Sequence, residues 1–346
     1  MAIKRTARAD SPVTPSELPG EEDVLELTLR PQSLQEYVGQ RRIKEHLLVH
    51  MEAARHRKEP LGHTLLHGPP GLGKTTLAHI VAREMQAQMR VTSGPAIEKP
   101  GDLASLLTNL QKGDVLFIDE VHRLRPAIEE MLYSAMEDCV LDIMIGKGPA
   151  ARSVRLTIQP FTLVAATTKA GAISAPLRDR FLHHFKLGFY ELPEVESIIA
   201  RSAAILTCPL EAPAISRIAS ASRATPRIAN RLVRAIRDFA QVRGGAADAR
   251  RVEETLTALD IDPDGLDATD RRILRALAEN VAGAAVGLST LAAMLAEEEE
   301  TIEDVYEPYL LQQGYILRTP KGRMATRKAF EKLGLPAPEG QSSLFA

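Results

Sequence analysis

Apolar residues recur with helical spacing over residues 41–54, and a short apolar strand over 63–67 then ends in a glycine-rich turn. A helix over 75–85 follows the turn directly. Two more apolar runs, at 115–118 and 161–166, indicate strands buried on both faces. Strands that alternate with helices predict a parallel sheet covered by helices, and we assign it to a first domain spanning 1–190.

The pattern changes beyond residue 190. Helices without a convincing strand, including a long one over 226–242, predict a small helical domain over 191–261. The Asp-rich stretch 260–270 indicates a linker and a helix start. Helices and a small hairpin then predict a winged helix within 262–346, with an unstructured tail at 341–346. The fold class is therefore α/β, with three domains.

Composition narrows the setting. Of 346 residues, 45% are hydrophobic and 25% charged, and no apolar run is long enough to span a membrane, so we expect a soluble protein without a membrane partner. Residues 1–20 are rich in proline and charge, which predicts a disordered leader and not a signal peptide. The two cysteines, Cys139 and Cys208, lie far apart and fit a reducing cytoplasm.

The segment GPPGLGKT at 68–75 fits the P-loop pattern, with a strand before it and a helix after it. The loop needs Gly71 and Gly73 so that its backbone N–H groups can cradle phosphates. Lys74 is expected to neutralise the β and γ oxygens, and the Thr75 hydroxyl to hold Mg²⁺. Thr76 follows in the same nucleotide-binding turn. The segment predicts ATP and Mg²⁺ as ligands.

The segment LFIDE at 116–120 places two carboxylates at the end of a buried strand. Alone, such a strand end is weak evidence, but forty-odd residues after a P-loop it indicates the matching acidic motif. We expect Asp119 to hold Mg²⁺ through water and Glu120 to orient the attacking water.

Three more polar residues are placed to act on ATP. Thr168 ends the next strand, so its hydroxyl is expected beside the γ-phosphate as a sensor, although it also fits a turn threonine. Arg180 follows Arg178 in a short helix and is predicted to be an arginine finger for a neighbouring subunit, with Arg178 in support. Arg227 opens the long helix of the second domain and is expected to sense the nucleotide.

Together these motifs resemble those of AAA+ ATPases, and five stretches narrow the resemblance to the RuvB family. They are the stretches RPQSLQEYVGQ at 30–40, GPPGLGKTTLA at 68–78, GDVLFIDEVHRL at 113–124, DIMIGKG at 142–148 and VYEPYLLQQG at 305–314. The similarity runs from about residue 29 to residue 335. The Walker motifs are shared by many ATPases, whereas 142–148 and 307–314 look specific to this family.

The resemblance implies contacts with the adenine side of the nucleotide. The residues it implies there are Leu29, Arg30, Glu137, Asp138, Cys139, Tyr190 and Arg227. A tyrosine offers a stacking face, and an arginine a cation near the base. The family typically has an aromatic residue where Cys139 stands, and 181–186 departs from its Phe-Gly pattern. The first departure concerns the nucleotide contact of Cys139, and the second falls near the expected subunit interface at Arg180.

Partners are also implied by the resemblance. Residues 137–162 alternate in strand fashion around 146–148, which predicts a hairpin with partly exposed Ile143, Met144 and Ile145. In RuvB proteins such a hairpin docks on RuvA, and RuvC joins the larger complex. The resemblance further implies a homo-oligomeric ring, expected to be a hexamer, on double-stranded DNA at Holliday junctions.

The net charge of −2 gives no global attraction to DNA, so binding requires a local basic surface. Such a surface is predicted at 318–332, which holds six basic residues against one acid. We expect Arg318 and Arg323 to contact phosphates, although a basic run is often only a solvated face. The acidic run 297–300 is expected to be a solvated edge that avoids DNA.

These observations predict an ATP-driven motor that pumps duplex DNA through a RuvA-bound junction in recombination and repair. Two other hypotheses use the same motifs. A clamp-loader or initiator-type switch would share every nucleotide motif but lack processive strand exchange. A DNA-binding regulator that uses ATP only as a ligand would lack turnover, and the intact Glu120 and Arg180 argue against it.

Overall fold

The protein is described here by a computed structural model that covers residues 28–145, 152–280 and 284–338. The chain divides into a unit Met1–Arg30 and a unit Pro31–Ala346. The predicted leader at 1–20, the hairpin tip at 146–148 and the tail at 341–346 lie outside the described residues. Within the described ranges, no helix is both long and apolar enough to cross a membrane.

Five parallel strands form the sheet of the first domain, in the order β2-β3-β6-β1-β7. They are β1 (Thr64–His67), β2 (Met89–Ser93), β3 (Val115–Asp119), β6 (Thr162–Thr167) and β7 (His183–Lys186). The predicted central strands β1, β3 and β6 are confirmed. The edge strands β2 and β7 were not predicted, because their residues are partly exposed and mix polar with apolar side chains.

Helices cover the sheet, and their buried residues recur every three or four positions. In the first helix the buried residues are Ile43, Leu47, Met51 and Ala54. The main helices of this domain are α1 (Arg41–Arg57), α2 (Lys74–Glu84), α3 (Pro100–Thr108), α4 (Pro126–Asp138) and α5 (Ala175–Arg178). Leucines of α3 and α4 pack on β3 and β6 in one continuous apolar core.

A two-stranded antiparallel hairpin follows α4. It consists of β4 (Val140–Ile145) and β5 (Arg152–Thr157), with Asp142 opposite Arg155. Their side chains also form an exposed ion pair with a nitrogen to oxygen distance of 3.1 Å. The predicted hairpin is confirmed. Ile143, in the middle of β4, is partly buried against the core.

The second group of elements is helical, as predicted, and consists of α6 (Leu192–Ile205), α7 (Ala212–Ala221), α8 (Pro226–Arg243), which is the predicted long helix, and α9 (Ala249–Ala258). Proline in the first turn of α6, α7 and α8 favours the helix starts, since that position needs no N–H donor. A turn then leads to Asp267, which caps the next helix by accepting from the Asp270 N–H at 2.9 Å.

The last group contains the remaining helices and a second hairpin. The helices are α10 (Ala268–Ala278), α11 (Leu288–Leu295), α12 (Glu299–Thr301), α13 (Glu307–Gln312) and α14 (Arg327–Leu333), and the strands are β8 (Ile316–Thr319) and β9 (Gly322–Ala325). A π-helical segment, Ile302–Tyr306, joins α12 to α13. Apart from α12, these helices and strands contribute apolar side chains to one core. The predicted helices and hairpin of a winged helix are therefore confirmed.

The turn of the second hairpin requires glycine at position 322. Gly322 has a φ of 133°, and a Cβ atom there would lie 2.2 Å from the Val286 carbonyl oxygen. This closeness allows Val286 and Arg323 to bridge as in an antiparallel sheet. The hairpin is thereby held against the segment that precedes α11. We call β8, β9 and their turn the wing, and residues 263–338 the head.

Candidate active site

The P-loop connects the end of β1 to the start of α2 through glycines with left-handed or otherwise unusual backbone. Gly71 and Gly73 have φ values of 79° and 95°. A Cβ atom on Gly73 would lie 2.8 Å from the Tyr37 hydroxyl, and one on Gly68 would lie 2.5 Å from the Leu187 carbonyl oxygen. The loop can therefore adopt this path only with glycine at these positions.

Two tyrosines hydrogen-bond to the backbone of the P-loop. Both hydroxyls donate to the Leu72 carbonyl, Tyr37 at 3.3 Å and Tyr190 at 3.1 Å. Tyr190 is buried, and burial raises the pKa of its hydroxyl to about 12, so it remains a neutral donor. Tyr37 was missed as a functional residue, although it lies in one of the stretches that carry the family resemblance. The contact of Tyr190 with adenine stays a prediction.

Lys74 is buried at the first position of α2. Its Nζ donates to the carbonyl oxygens of Gly68 at 2.8 Å and Pro69 at 2.9 Å. Burial lowers the pKa of Lys74, while Asp119 and Glu120 act in the opposite direction. A buried ammonium group whose hydrogen bonds go to carbonyl oxygens is well suited to an anionic ligand, because phosphate oxygens would compensate its charge.

Asp119 and Glu120 lie at the carboxyl end of β3. The Asp119 carboxylate accepts from the Glu120 N–H at 2.9 Å, and the Glu120 backbone is left-handed with a φ of 49°. Such backbone is uncommon outside glycine and clusters at active sites. Burial raises the pKa of Glu120, and the neighbouring Asp119 raises it further. Lys74, Asp119 and Glu120 are thus brought into one electrostatic cluster.

His122 and Thr167 extend this cluster and were missed by the sequence reasoning. The His122 Nδ1 atom lies 3.3 Å from the Glu120 Oε2 and 2.9 Å from the Thr167 hydroxyl. Thr167 is fully buried, and the His122 side chain is 6% exposed. Burial lowers the pKa of His122, so a neutral imidazole is favoured. The histidine in the DEVHR stretch was the available signal.

Thr168 has a buried hydroxyl without a hydrogen-bond partner among the described residues. A buried polar atom of this kind normally has a partner, so the orphaned Oγ1 fits a site that a ligand completes.

Thr75 and Thr76 are half-buried in the first turn of α2. In the described part of the chain, no group of three His, Cys, Asp or Glu residues could hold a metal. The donors here, one threonine and one aspartate, fit Mg²⁺ that takes its other ligands from phosphate and water.

Arg227 lies in the first turn of α8, close to the P-loop. The Arg227 backbone N–H points to the Gly71 carbonyl oxygen at 3.4 Å. A Cβ atom added to Gly71 would lie 3.1 Å from the Cβ of Arg227. Its positive charge also contributes to lowering the pKa of Lys74. A cavity beside the P-loop is lined by residues of the second helical group and of the head, including Arg227 and Tyr309.

Arg180 is placed with Glu137 and not with the P-loop. Its Nη2 lies 3.0 Å from the Glu137 Oε2, its Nη1 donates to the Pro176 carbonyl, and its guanidinium lies 4.7 Å from the centre of the Tyr133 ring. Glu137 and Asp138 are exposed at the end of α4. Cys139 follows in left-handed conformation and packs partly against the core, where burial raises its thiol pKa.

Leu29 and Arg30 belong to the separate unit Met1–Arg30, so their contacts stay predictions.

The arginines expected to bind DNA pair with acids of the head. Arg323 approaches the buried Glu307 with its Nε at 2.5 Å, and Arg318 binds both Glu307 and Glu303. The Arg323 side chain is 11% exposed and that of Arg318 is 49% exposed. Their role at DNA stays a prediction, and the structure adds a second role in holding the wing to α13.

A P-loop, a carboxylate pair on the next buried strand, a helical lid that carries Arg227 and a winged-helix head define the AAA+ class of ATPases. Family models agree with each part. They are the Holliday junction DNA helicase RuvB P-loop domain over residues 29–187, the RuvB AAA lid domain over 190–262 and the RuvB C-terminal winged helix domain over 263–334.

Solved structures of Thermotoga maritima RuvB are similar over 90% of this chain. The structure described as a Holliday junction branch migration motor is 48% identical, covers 90% of this chain and 100% of its own, and gives a TM-score of 0.82. A point mutant of the same protein, also 48% identical, covers 90% of this chain and 99% of its own, with a TM-score of 0.84. The chain belongs to the RuvB family. It is an ATP-hydrolysing enzyme of Holliday junction branch migration.

Proposed function

We propose that the protein forms a ring, a homohexamer, around duplex DNA and pumps that DNA through a Holliday junction held by RuvA. The observation that carries this proposal is the convergence of Lys74, Asp119 and Glu120 at a P-loop in a chain that also has a winged-helix head. The enzyme thus has the parts of a hydrolytic site and of a DNA-binding domain. We further propose that it works in the cytoplasm and meets RuvC in the larger complex.

Within the nucleotide site, each residue would have a distinct task. Backbone N–H groups of Gly71, Gly73 and Thr76 would bind phosphates, and Lys74 would leave its carbonyl partners to pair with the β and γ oxygens. Thr75 and Asp119 would hold Mg²⁺, which supplies charge neutralisation on the transferred phosphoryl group.

Hydrolysis would then depend on residues around the γ-phosphate. Glu120 would orient the attacking water, and the unpartnered hydroxyl of Thr168 would bind the γ-phosphate or that water. Arg227 would report the state of the nucleotide through α8. Leu29, Arg30 and Tyr190 would contact the adenine side.

Arg180 would act on the nucleotide of a neighbouring subunit. In the single chain it pairs with Glu137, so assembly would exchange this carboxylate for a phosphate as its partner. Glu137 contacts Arg180 directly, and together with Asp138 and Cys139 it would contact the adenine side of the nucleotide. The cation would stabilise the charge that develops on the phosphoryl group in transit.

Two surfaces outside the nucleotide site would meet the partners. The β4–β5 hairpin would dock on RuvA with the apolar residues near its tip, and the wing would contact DNA phosphates with Arg318 and Arg323. Domain boundaries near residues 190 and 261 follow from the change in element type. These boundaries are also part of the proposal.

A branch-migration assay on a synthetic four-way junction tests the proposed function. We expect strand exchange that requires ATP, Mg²⁺ and hydrolysis, and that increases when RuvA is added. A switch of the clamp-loader type would hydrolyse ATP on DNA without processive strand exchange. A regulator that only binds ATP would show no turnover. Either result would overturn the proposal, and a Lys74→Ala variant serves as the inactive control.

A further inference from the structure

Lys169 joins the active-site strand to the head. It follows β6 by two residues, and its Nζ lies 3.1 Å from the Glu300 Oε1, 3.1 Å from the Asp304 Oδ2 and 3.9 Å from the Glu303 Oε2. The side chain of Lys169 is 27% exposed and that of Asp304 is 23% exposed. Glu300 belongs to the acidic run at 297–300, which was expected to be a solvated edge, and it is exposed while it contacts Lys169.

From Lys169 two hydrogen bonds and then one close polar contact lead inward to Glu120. The Lys169 backbone N–H donates to the Thr167 hydroxyl at 2.9 Å, and this hydroxyl lies 2.9 Å from the His122 Nδ1. The same Nδ1 lies 3.3 Å from the Glu120 Oε2. Thr167 and His122 are closely packed, so a shift of the backbone at Lys169 is passed on to them.

On the side away from Glu120, acidic residues of the head link Lys169 to the arginines of the wing. Glu303, which faces Lys169 at 3.9 Å, also binds Arg318 at 3.2 Å and lies 3.6 Å from Arg323. Both arginines bind Glu307 as well. A continuous series of ion pairs and hydrogen bonds therefore connects the wing with the carboxylate that we assign to hydrolysis.

We propose that Lys169 is a positioning residue that couples DNA binding by the head to ATP hydrolysis at Glu120. This inference rests on the proposed function, because it takes the wing to meet DNA. Phosphates at the wing would compete with Glu303 and Glu307 for Arg318 and Arg323. The acidic segment 300–304 would then shift, Lys169 would follow it, and the packed contacts through Thr167 and His122 would reorient Glu120.

An ordinary surface ion pair would behave differently. Exposed pairs contribute little to stability, and one outside the coupling path would leave the response to DNA unchanged. Lys169 differs from an ordinary surface pair because its backbone N–H binds Thr167 on the way to Glu120, while its ammonium group binds acids of the head. The decisive measurement is therefore the ratio of DNA-stimulated to DNA-free ATP turnover. The KM for ATP is measured beside it, to show that nucleotide binding is unchanged.

The first test is Lys169→Met in the full chain. We expect the ratio of DNA-stimulated to DNA-free turnover to fall most of the way to one. The KM for ATP should stay within about twofold of wild type, because the P-loop is not altered. Lys112→Met removes an exposed lysine of the same domain and should keep the wild-type ratio. An unchanged ratio in Lys169→Met would overturn the inference.

A charge exchange separates coupling from loss of structure. Lys169→Glu alone would place like charges together, and adding Glu300→Lys restores an opposite-charge pair. We expect the exchange to recover at least half of the wild-type stimulation. The matched control combines Lys169→Glu with Glu299→Lys, which carries the same charges one residue away, and it should recover little. Equal recovery in both double variants, or none in either, would count against a specific contact.

Hydrogen exchange tests the contact without DNA. In Lys169→Met, the backbone amides of 298–306 should exchange at least several times faster than in wild type, while those of α10 stay unchanged. Identical exchange would refute the docking of this segment on Lys169. If wild type itself showed no stimulation by DNA, the coupling would fail, while strand exchange on a four-way junction would still decide the proposed function. The hydrogen-exchange result would show separately whether Lys169 holds the head.

Discussion

Glu120 shows how a single residue can combine a structural and a chemical requirement. It has left-handed backbone, its carbonyl oxygen would lie 2.4 Å from a Cβ atom on Gly94, and its carboxylate faces His122. The turn after β3 is therefore fixed from two sides. A side chain held in this way is preorganised to orient water, since little has to move when the substrate binds.

Replacing Glu120 by Gln should slow ATP turnover by about 10²- to 10⁴-fold while ATP binding is retained, because an amide keeps the shape but not the basicity. Single-turnover hydrolysis and nucleotide binding measured on the same preparation check this. Glu130→Gln, an exposed glutamate of α4, is the control and should hydrolyse ATP normally. Loss of ATP binding in Glu120→Gln would show that the residue has a structural role instead.

Asp270 is a second residue whose environment differs from that of an ordinary carboxylate. It is fully buried at the start of α10, one of its oxygens has no partner among the described residues, and the other pairs with Arg223. Burial raises the pKa of Asp270 to about 7, and Asp267, which shares the same arginine, raises it too. Folding therefore favours the protonated form.

The raised pKa of Asp270 predicts a pH dependence of stability. The contribution is fully present below the pKa of about 3.9 of an unfolded aspartate and is lost as the pH rises through about 7. Asp270→Asn keeps a neutral side chain at all pH values. The stability of wild type should therefore fall relative to this variant, by at most about 1.4 kcal/mol per pH unit, between about pH 4 and 7.

Urea-unfolding midpoints of both proteins across this range check the Asp270 prediction. Asp238→Asn, which alters an exposed carboxylate of α8, should run parallel to wild type. If Asp270→Asn also ran parallel to wild type, the carboxyl group would have to be ionised in the folded protein.

At the scale of elements, the wing is the part most directly open to test. Arg318 and Arg323 hold Glu307, so replacing both by alanine would leave a buried carboxylate unpaired and disturb the wing itself. Lys321 lies exposed in the turn between β8 and β9, which makes it a cleaner probe of DNA contact.

Lys321→Ala should weaken binding about equally on different duplex sequences. It should also reduce the slope of log affinity against log salt concentration by about 1, as expected when one phosphate contact is removed. Titrations at several salt concentrations measure both effects. An alanine at the exposed Lys112 of the first domain provides the comparison. An unchanged slope would place the DNA contact outside this turn.

The sequence predicted the elements whose signal is local. The P-loop, the strand before Asp119, the long helix α8 and the wing all have their own apolar pattern or turn residues. The edge strands β2 and β7 do not, because an edge strand is half exposed and its pairing depends on a neighbour distant in sequence. For the same reason, the contacts of Lys169 with Glu300 and of Arg323 with Glu307 could not be predicted from spacing.

At the scale of the whole molecule, Arg180 is expected to serve a neighbouring subunit, so its loss should be complemented in mixed rings. Arg180→Ala and Lys74→Ala should each be inactive alone. Their mixture should recover part of the activity, because some interfaces then combine an intact P-loop with an intact arginine. ATP turnover across mixing ratios measures this. No recovery at any ratio, with mixed rings shown to form, would mean that Arg180 acts within its own chain.

The π-helical segment Ile302–Tyr306 determines what the loss of a single residue would do to the head. A π turn amounts to one residue inserted into an α-helix. Removing one residue from it would restore regular geometry and leave a more uniform helix, yet it would rotate the two flanking parts by about 100° relative to each other. Glu300 and Glu307 lie on opposite sides of the segment, one facing Lys169 and the other facing the wing. A chain shortened at this segment would keep its ATPase motifs, but it would lose the alignment of these two carboxylates together with the packing of Tyr309 and Leu310 in the core of the head.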